Sequence, residues 1–452
     1  MDRSQLSVVQ RKILLTDSTE NASPLWRHQR DGCLAPPVSL QADIICDFAV
    51  VGAGIAGLAI ARRLSEKHDV VVLDANQIAE GASGWNAGIL SVATTIDLTV
   101  VEKLIGADGV KLLLATLESV LSSFKEKLGL SDSDWQTGKS IYAANKRSDR
   151  RKLAHEAKIR CQFGLPTTGI ETSHVHRFAD AIAFGGEHAV HPAKLLFALA
   201  KAMLGAGGRL FENSPVDSWT REVDGFTLKC REHTVRAKHL ILCTGLHDPH
   251  LGGTPSLNRK LIGVTGHICV TEPSLAVRQM CHDGGTIALW DTARLYRYVR
   301  YLDDGRMLVG GEEAPGSVTA TALDASNPHI QKLYRWAQAH HAFELPPIQL
   351  SWKASLAVPA AGLPLLDLDS AGGHLRISAV TDGLPSGLVL GETLHELIDG
   401  DRTKGEALAR LFCARKQDFS ERLLALVPTW KPARKLATAL AFAVLKLLDM
   451  VC

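Results

Sequence analysis

The sequence predicts an α/β protein in which a domain with a parallel sheet is interrupted by an inserted α+β domain with an antiparallel sheet. Strand and helix patterns typical of βαβ units occur near residues 44–74 and again at residues 374–400. Between them, residues 262–311 contain short strands and the tight turn Asp303–Arg306, whose Gly305 is typical of a β-hairpin. The two ends of the chain are therefore expected to build one domain around the inserted middle.

Composition narrows the class of protein. The chain has 452 residues, of which 46% are hydrophobic, so we expect two or three domains. Fifty Lys and Arg residues nearly balance 48 Asp and Glu residues, and no basic surplus points to a nucleic-acid partner. No His or Cys pair has the spacing of a zinc site, so we predict no metal. Nine dispersed cysteines and a charged N-terminus without a signal segment favour a cytoplasmic protein.

Composition and periodicity suggest the domain boundaries. The predicted division is an irregular leader at 1–40, a discontinuous first domain at 41–100, 185–250 and 350–400, an inserted domain at 101–184 and 251–349, and a helical C-terminal segment at 401–452. In the last segment, Leu436–Leu445 carries no charge but is too short to span a bilayer. We expect a helix packed on the protein body; the alternative is a helix in peripheral contact with a membrane surface.

A glycine-rich motif follows the first predicted strand and opens a helix. It consists of Gly52, Ala53, Gly54, Ile55, Ala56 and Gly57. In G-x-G-x-x-G, the first glycine permits a tight turn, the second lets the backbone approach a pyrophosphate, and the third lets helix and strand pack closely. Asp74, which is followed by Ala75, ends the next strand and can accept hydrogen bonds from ribose hydroxyls. These features predict a Rossmann-type dinucleotide site.

A second glycine-rich loop, residues 81–88, lies directly after this βαβ unit. Its candidate cofactor-binding residues are Gly81, Ala82, Ser83, Asn86 and Gly88. Small residues let the backbone lie against a long ligand, and an NAD site does not need such a loop so near the first one. The pair of loops therefore favours FAD, with an NAD-dependent dehydrogenase as the alternative.

Together these motifs resemble the D-amino-acid-oxidase-type FAD-dependent oxidoreductase family, and the gamma-glutamylputrescine oxidoreductase-like branch fits best. Further matches extend over about residues 24–400 and include the Trp26 leader, the segment 191–216 and the hairpin 298–311. The resemblance implies a Rossmann-type FAD-binding domain with an inserted substrate domain. It also implies that Val216, Thr244, Gly245, Gly383, Gly387 and Leu388 contact the cofactor.

The chain departs from the family pattern at two places. Where the family has W-x-G-x-x-x-x-T-x-D, this chain keeps Trp352 but has Ala354, Pro359 and Ala361. The amino-acid oxidases of the family tend to place a carboxylate-binding Arg in this segment, and Ser355 offers nothing comparable. Pro385 removes a backbone donor from the late glycine loop. We therefore expect altered contacts to the flavin and a weaker preference for simple α-amino acids.

The resemblance implies oxidation of a C–N bond of a small amine or amino acid to an imine, with O2 or an electron carrier such as a quinone as acceptor. The alternative is an FAD-binding protein with reduced activity or a role in RNA modification.

Four residues are candidates for the substrate pocket. Arg300 could pair an anionic substrate group or form a surface salt bridge. Tyr298, on the same strand face, could donate a hydrogen bond or pack in the core. His267 could be catalytic or structural, and Trp352 could wall the cavity or be an ordinary core residue.

Overall fold

The computed structural model describes most of the chain between Leu25 and Cys413. The described residues are 25–26, 33–93, 96–132, 134–165, 167–169, 177–246, 251, 261–282, 285–293, 295–316, 320–359, 362–380 and 383–413. Most of the predicted leader, Ala361, and residues 414–452 with the stretch proposed for membrane contact lie outside them. Among the helices of these ranges, none combines the length and the apolar character that a bilayer crossing requires.

The described residues form eighteen β-strands and eight α-helices, numbered in chain order. The strands are β1 Ile44–Val51, β2 Val70–Leu73, β3 Ile89–Leu90, β4 Trp135–Ala144, β5 Thr167–Gly169, β6 Asp180–Val190, β7 Arg209–Phe211, β8 Ser218–Glu222, β9 Gly225–Cys230, β10 His233–Leu242, β11 Leu261–Thr271, β12 Thr286–Asp291, β13 Tyr298–Tyr301, β14 Met307–Pro315, β15 Thr321–Ala322, β16 Ile348–Pro359, β17 Leu365–Ala371 and β18 His374–Val380. The helices are α1 Ile55–Leu64, α2 Leu98–Lys127, α3 Arg150–Gln162, α4 Pro192–Gly205, α5 Leu275–His282, α6 Pro328–His340, α7 Leu384–Ile398 and α8 Arg402–Phe412.

The first sheet has a parallel centre. Its strand order is β17-β18-β10-β1-β2-β7, and the five strands from β18 to β7 run parallel. The edge strand β17 and the hairpin β8–β9 join it antiparallel. The central strands β1 and β2 are apolar runs that are buried on both faces, as parallel strands covered by helices must be. This arrangement confirms the predicted Rossmann-type unit.

Helices α1 and α7 pack very closely beside this sheet. A Cβ atom added at Gly391 would lie 2.5 Å from the Cβ of Ala59, and one added at Gly387 would lie 2.4 Å from Cγ2 of Ile55. Both glycines lie on α7, and their partners lie on α1. The two helices therefore approach more closely than larger side chains at these positions would permit.

The second sheet is antiparallel except where β12 and β4 run parallel. Its order is β15-β16-β11-β14-β13-β12-β4-β6-β3, with β5 on β6. The predicted hairpin joins β13 to β14: Gly305 has a φ of 89°, and its N–H donates to the carbonyl of Leu302 over 3.0 Å. The sheet thus supplies the antiparallel domain that the sequence predicted.

The two sheets take their strands from alternating stretches of chain. The first sheet uses residues from 44–73, 209–242 and 365–380, whereas the second uses residues from 89–190 and 261–359. The alternation agrees with an inserted domain. However, β3, the end of β6 and nearly all of β16 belong to the second sheet, although the predicted boundaries place them in the first domain. Their hydrogen-bond partners are distant in sequence, so local patterns could not assign them.

The two faces of the second sheet pack against different structures. Ile268 pairs with both Gly310 and Trp352, and Gly310 also pairs with Tyr298, so these residues lie on one face. That face joins the hydrophobic core that includes β1, α1 and α7. The opposite face, which carries Cys269, packs under α6 in a separate core. Only the first face borders the dinucleotide-binding half of the molecule.

Candidate cofactor and substrate site

The first glycine loop runs from the end of β1 into the start of α1. Gly52 has a φ of 105°, and a Cβ atom there would lie 2.4 Å from the carbonyl oxygen of Cys243. A Cβ atom at Gly57 would lie 1.9 Å from the carbonyl oxygen of Gly52. Only glycine fits at these two positions, and the loop keeps its backbone bare at the N-terminus of α1. Such a helix end attracts phosphate groups.

Asp74 lies at the end of β2 beside this loop. Its Oδ2 accepts a hydrogen bond from the backbone N–H of Ala53 over 2.6 Å, and its Oδ1 accepts one from that of Asn76 over 2.8 Å. Burial raises the pKa of Asp74 to about 6, although both hydrogen bonds oppose the shift. Since the side chain keeps part of its accessible surface, it lines a recess next to the loop.

The second glycine loop is folded by the side chain of Asn86. Its Nδ2 donates to the carbonyl of Ser83 over 2.8 Å, and its Oδ1 accepts from the N–H of Gly88 over 2.7 Å. Ser83 reaches the first loop, because its hydroxyl accepts a hydrogen bond from the N–H of Ile55 over 3.1 Å. The two predicted loops are therefore in direct contact at the N-terminus of α1.

Arg300 joins this second loop to the second sheet. Its Nη1 donates to the carbonyl of Ala87 over 2.6 Å and to that of Val190 over 2.7 Å, and the guanidinium lies over the ring of Trp26. Burial lowers the pKa of Arg300 to about 10, so the side chain stays charged at neutral pH. The surface salt bridge weighed from the sequence is wrong, because the residue is buried. Its contacts indicate that Arg300 holds the loop in place.

Two buried polar groups beside the loops have no hydrogen-bond partner among the described residues. They are Oγ1 of Thr244, which follows β10, and Nε1 of Trp85 in the second loop. Buried polar groups are normally paired, so both are available to a ligand. Together with the bare backbone and the Asp74 carboxylate, they fit a dinucleotide cofactor. Gly245, with a φ of 57°, has open space around it.

The late loop differs from the expected cofactor contact. Gly383 is the N-cap of α7, and Gly387 lies within α7 against Ile55 of α1. Leu388 is buried in the core. Two of the residues expected to touch the cofactor, Gly387 and Leu388, thus pack α7 on the rest of the protein. Pro385 lies in the first turn of α7, where a missing N–H costs no helical hydrogen bond.

The structure also separates the substrate candidates. Tyr298 and Trp352 lie on the face toward the first domain, and Nε1 of Trp352 donates to the carbonyl of Trp85 over 3.0 Å. His267 lies on the opposite face, where its ring stacks on His329 with 4.2 Å between ring centroids. It therefore does not share a pocket with the other candidates. Val216 is half-buried at the edge of a third core, and Ala75 is exposed.

Sequence reasoning missed Glu313 and the structural role of Trp26. Nε1 of Trp26 donates to the carbonyl of Asn86 over 2.9 Å, so this leader residue supports the second loop. Glu313 follows a β-bulge in β14, opposite Gly266 of β11. The pair Glu312-Glu313 at the end of an apolar strand was the available signal, but the bulge that sets their directions is a tertiary feature.

The fold and the two loops define a dinucleotide-binding protein with an inserted antiparallel domain. The family model described as "DAO: FAD dependent oxidoreductase" matches residues 47–397. The chain belongs to this family, and FAD is its cofactor. The resemblance drawn from the sequence motifs is thereby confirmed.

The chain shares modest sequence identity with individual relatives. The chain is 29% identical to the probable oxidoreductase OrdL of Haemophilus influenzae over 284 residues, which cover 59% of this chain and 65% of that protein. It is 25% identical to the gamma-glutamylputrescine oxidoreductase of Escherichia coli over 395 residues, which cover 83% of this chain and 89% of that protein. The solved structure of glycine oxidase from Bacillus cereus shares the fold, with a TM-score of 0.64 and 17% identity over 79% of this chain and 95% of that one.

Proposed function

We propose that the protein oxidises a C–N bond of a small amine or amino acid to an imine. The observation that carries this proposal is the docking of one face of the second sheet on the second glycine loop. Trp352 and Arg300 both donate hydrogen bonds to backbone carbonyls of that loop. Tyr298 and Trp352 lie on the face that docks on this loop, and we propose that a small substrate binds on this face beside the cofactor.

The chemistry needs little from side chains. Bound FAD would supply the acceptor for a hydride from the carbon beside the nitrogen, and water would then hydrolyse the imine to a carbonyl compound and an amine. The protein's part is to orient the substrate and to exclude water. Burial favours the neutral amine over the ammonium ion, and only the neutral amine can release the hydride readily. We propose that the hydroxyl of Tyr298 helps to orient the substrate.

The relatives support this reaction class. Gamma-glutamylputrescine oxidoreductase and glycine oxidase are named for an amine and an amino acid, respectively. The differences between this chain and the family pattern bear on the substrate, because the segment after Trp352 has no Arg that could bind a carboxylate. Ser355, which stands there, shares a hydrogen bond of 2.8 Å with Thr265.

The reaction class is tested by anaerobic reduction of the flavin. The FAD-loaded chain is mixed with polyamines, acylated polyamines, primary amines and amino acids, and bleaching of the flavin absorption band is followed. Bleaching by at least one amine or amino acid is the expected result. A chain that carries FAD but is reduced by none of them would refute the proposal and favour the non-catalytic alternative.

The electron acceptor is tested in the same preparation. Peroxide formed in air at the rate of substrate consumption indicates an oxidase, whereas turnover only with a quinone or another carrier indicates a dehydrogenase.

The proposed location is the cytoplasm, and the described cysteines, which are all free, are consistent with a reducing compartment.

A further inference from the structure

Glu313 is turned toward the face of the second sheet that borders the cofactor. Ala314 pairs with Thr265, and a bulge then separates this pair from His267–Gly311. Since side chains alternate along a strand, Glu313 points away from the side of Thr265 and toward that of Tyr298. Burial and, after it, the charge of Glu313 raise the pKa of Tyr298, which agrees with this direction.

The surroundings of Glu313 are unusual for a carboxylate. Protein surrounds it closely, yet the residue keeps part of its accessible surface. No residue in the described part of the chain gives it a hydrogen bond or an ion pair. Burial alone raises the pKa of Glu313 to about 7. A cation that binds next to a buried, unpaired carboxylate stabilises the ionised form of that carboxylate.

The neighbouring Glu312 shows what a paired carboxylate looks like here. It points the other way, with Oε1 accepting from Arg297 over 3.0 Å and Oε2 accepting from Lys332 over 2.6 Å. These bonds hold the pKa of Glu312 below its usual value, despite burial that opposes the shift. Two adjacent residues of the same type thus differ in their partners, in the direction of their side chains and in the sign of their pKa shifts.

Tyr298 supplies a polar neighbour on the same face of the sheet. A Cβ atom at Gly310 would lie 2.3 Å from the hydroxyl oxygen of Tyr298, so the phenol ring lies flat across β14 where that strand has no side chain. Within the described residues, no hydrogen-bond partner of this hydroxyl is found. A carboxylate and a hydroxyl therefore lie on one face of the sheet, and neither has a partner among the described residues.

Cationic side chains on these strands are engaged elsewhere. Arg300 donates to two backbone carbonyls, and Arg297 pairs with Glu312. Lys353 is opposite His267 and so lies on the other side of the sheet. The face of Tyr298 and Glu313 consequently offers an anion to a ligand, and it offers little to bind a substrate carboxylate.

We propose that Glu313, together with the hydroxyl of Tyr298, binds a cationic nitrogen of the substrate. The preferred substrates are then amines and diamines that carry an ammonium group without a neighbouring carboxylate, rather than α-amino acids. This inference rests on the proposed amine oxidation, and it narrows that proposal to a substrate class. The bond is a charge-assisted hydrogen bond from the ammonium to the carboxylate, and the ammonium passes its proton to that carboxylate before the neutral amine is oxidised.

The test uses a ligand that binds but cannot react. The tert-butylammonium ion has no hydrogen on the carbon that bears nitrogen, so no hydride can leave it. Its binding to the full-length, FAD-loaded chain is measured by isothermal titration calorimetry at pH 8. The anion 2,2-dimethylpropanoate, of similar shape, is titrated in parallel. We expect the cation to bind and the anion not to bind; the opposite preference, or no cation binding, overturns the inference.

Variants then locate the site. Glu313→Gln keeps the shape and removes the charge, and we expect it to weaken tert-butylammonium binding at least about tenfold. Tyr298→Phe should weaken it by a smaller factor. The matched control, Glu312→Gln, changes the adjacent carboxylate on the other face and should leave the dissociation constant unchanged. Equal affinities of wild type and Glu313→Gln would overturn the assignment, as would a loss confined to Glu312→Gln.

The failure of this inference is distinguishable from failure of the proposed function. If amines bleach the flavin but Glu313→Gln has an unchanged KM for them, the reaction class stands and the inference is wrong. If no amine or amino acid bleaches the flavin, the proposed function is wrong, whatever the calorimetry shows. Under the inference, Glu313→Gln raises KM for alkylamines and leaves the already poor turnover of glycine unchanged.

Discussion

Replacing Gly391 by alanine tests the close packing of α7 on α1. The added Cβ would lie 2.5 Å from the Cβ of Ala59, 3.0 Å from its carbonyl carbon and 3.2 Å from the nitrogen of Ile60. Because two of these atoms belong to the backbone, no side-chain rotation can relieve the contact. The helices must separate, and α1 would carry the first glycine loop with it.

The magnitude follows from two opposing effects. Overpacking of a core costs about 1–3 kcal/mol, and the backbone contacts place this site near 3 kcal/mol. Alanine in a helix interior regains about 1 kcal/mol over glycine. We therefore expect a net loss of about 2 kcal/mol and a fall in Tm of about 4–8 °C. The FAD content of the purified variant should fall as well.

Gly205→Ala is the matched control. Gly205 ends α4, and no atom lies within 4 Å of a Cβ built there. The same chemical change should therefore leave Tm unchanged or raise it slightly. Differential scanning fluorimetry and the ratio of flavin to protein absorbance measure both effects. Equal Tm values for the two variants would show that α1 and α7 are not packed as described.

Three further predictions concern the site. Arg300→Met leaves the carbonyls of Ala87 and Val190 without their donor, which costs about 1–3 kcal/mol for each carbonyl and is partly offset by the removal of a buried charge. The variant should therefore lose FAD on gel filtration before any substrate is added. A loss of substrate binding alone would instead support an anion-binding role for Arg300. Since the pKa of Asp74 is raised to about 6, its carboxylate is ionised above that pH. The affinity of the wild type for FAD should therefore increase as pH rises from 5 to 7, whereas that of Asp74→Asn should stay constant. The same pH dependence in both proteins would exclude Asp74 as the group that accepts hydrogen bonds from the ribose. Since the pKa of Glu313 is raised to about 7, tert-butylammonium should bind more tightly as pH rises through 7, and a Glu313→Gln variant that kept this dependence would contradict the assignment.

Much of the fold could be predicted because its signals are local. The βαβ unit was recognised from features that lie within about thirty residues of one another. They are the apolar run of β1, the glycines that follow it and Asp74 at the end of β2, and each is required by the structure of that single unit. The hairpin at Gly305 was predicted for the same reason.

The site residues were harder to assign because their roles depend on direction and on partners. Tyr298 and His267 lie on strands two places apart in the sheet, and only the register shows that they face opposite sides. Gly387 was expected at the cofactor as part of a glycine loop, whereas the structure places it between two helices. Arg300 was expected to bind a ligand, and its partners are two backbone carbonyls from distant segments.

The sequence by itself determined the nucleotide-binding unit, its cofactor class and the presence of an inserted antiparallel domain. These follow from short-range patterns, because the backbone freedom of a residue and the periodicity of a segment can be judged from the sequence without knowing which residues are neighbours in space. The tertiary structure decided which strands join which sheet and which face meets the glycine loops. It also decided that Glu313 has no partner in the described part of the chain while Glu312 has two. The physical reason is that desolvation and pairing depend on what surrounds a side chain, and residues far apart along the chain provide those surroundings.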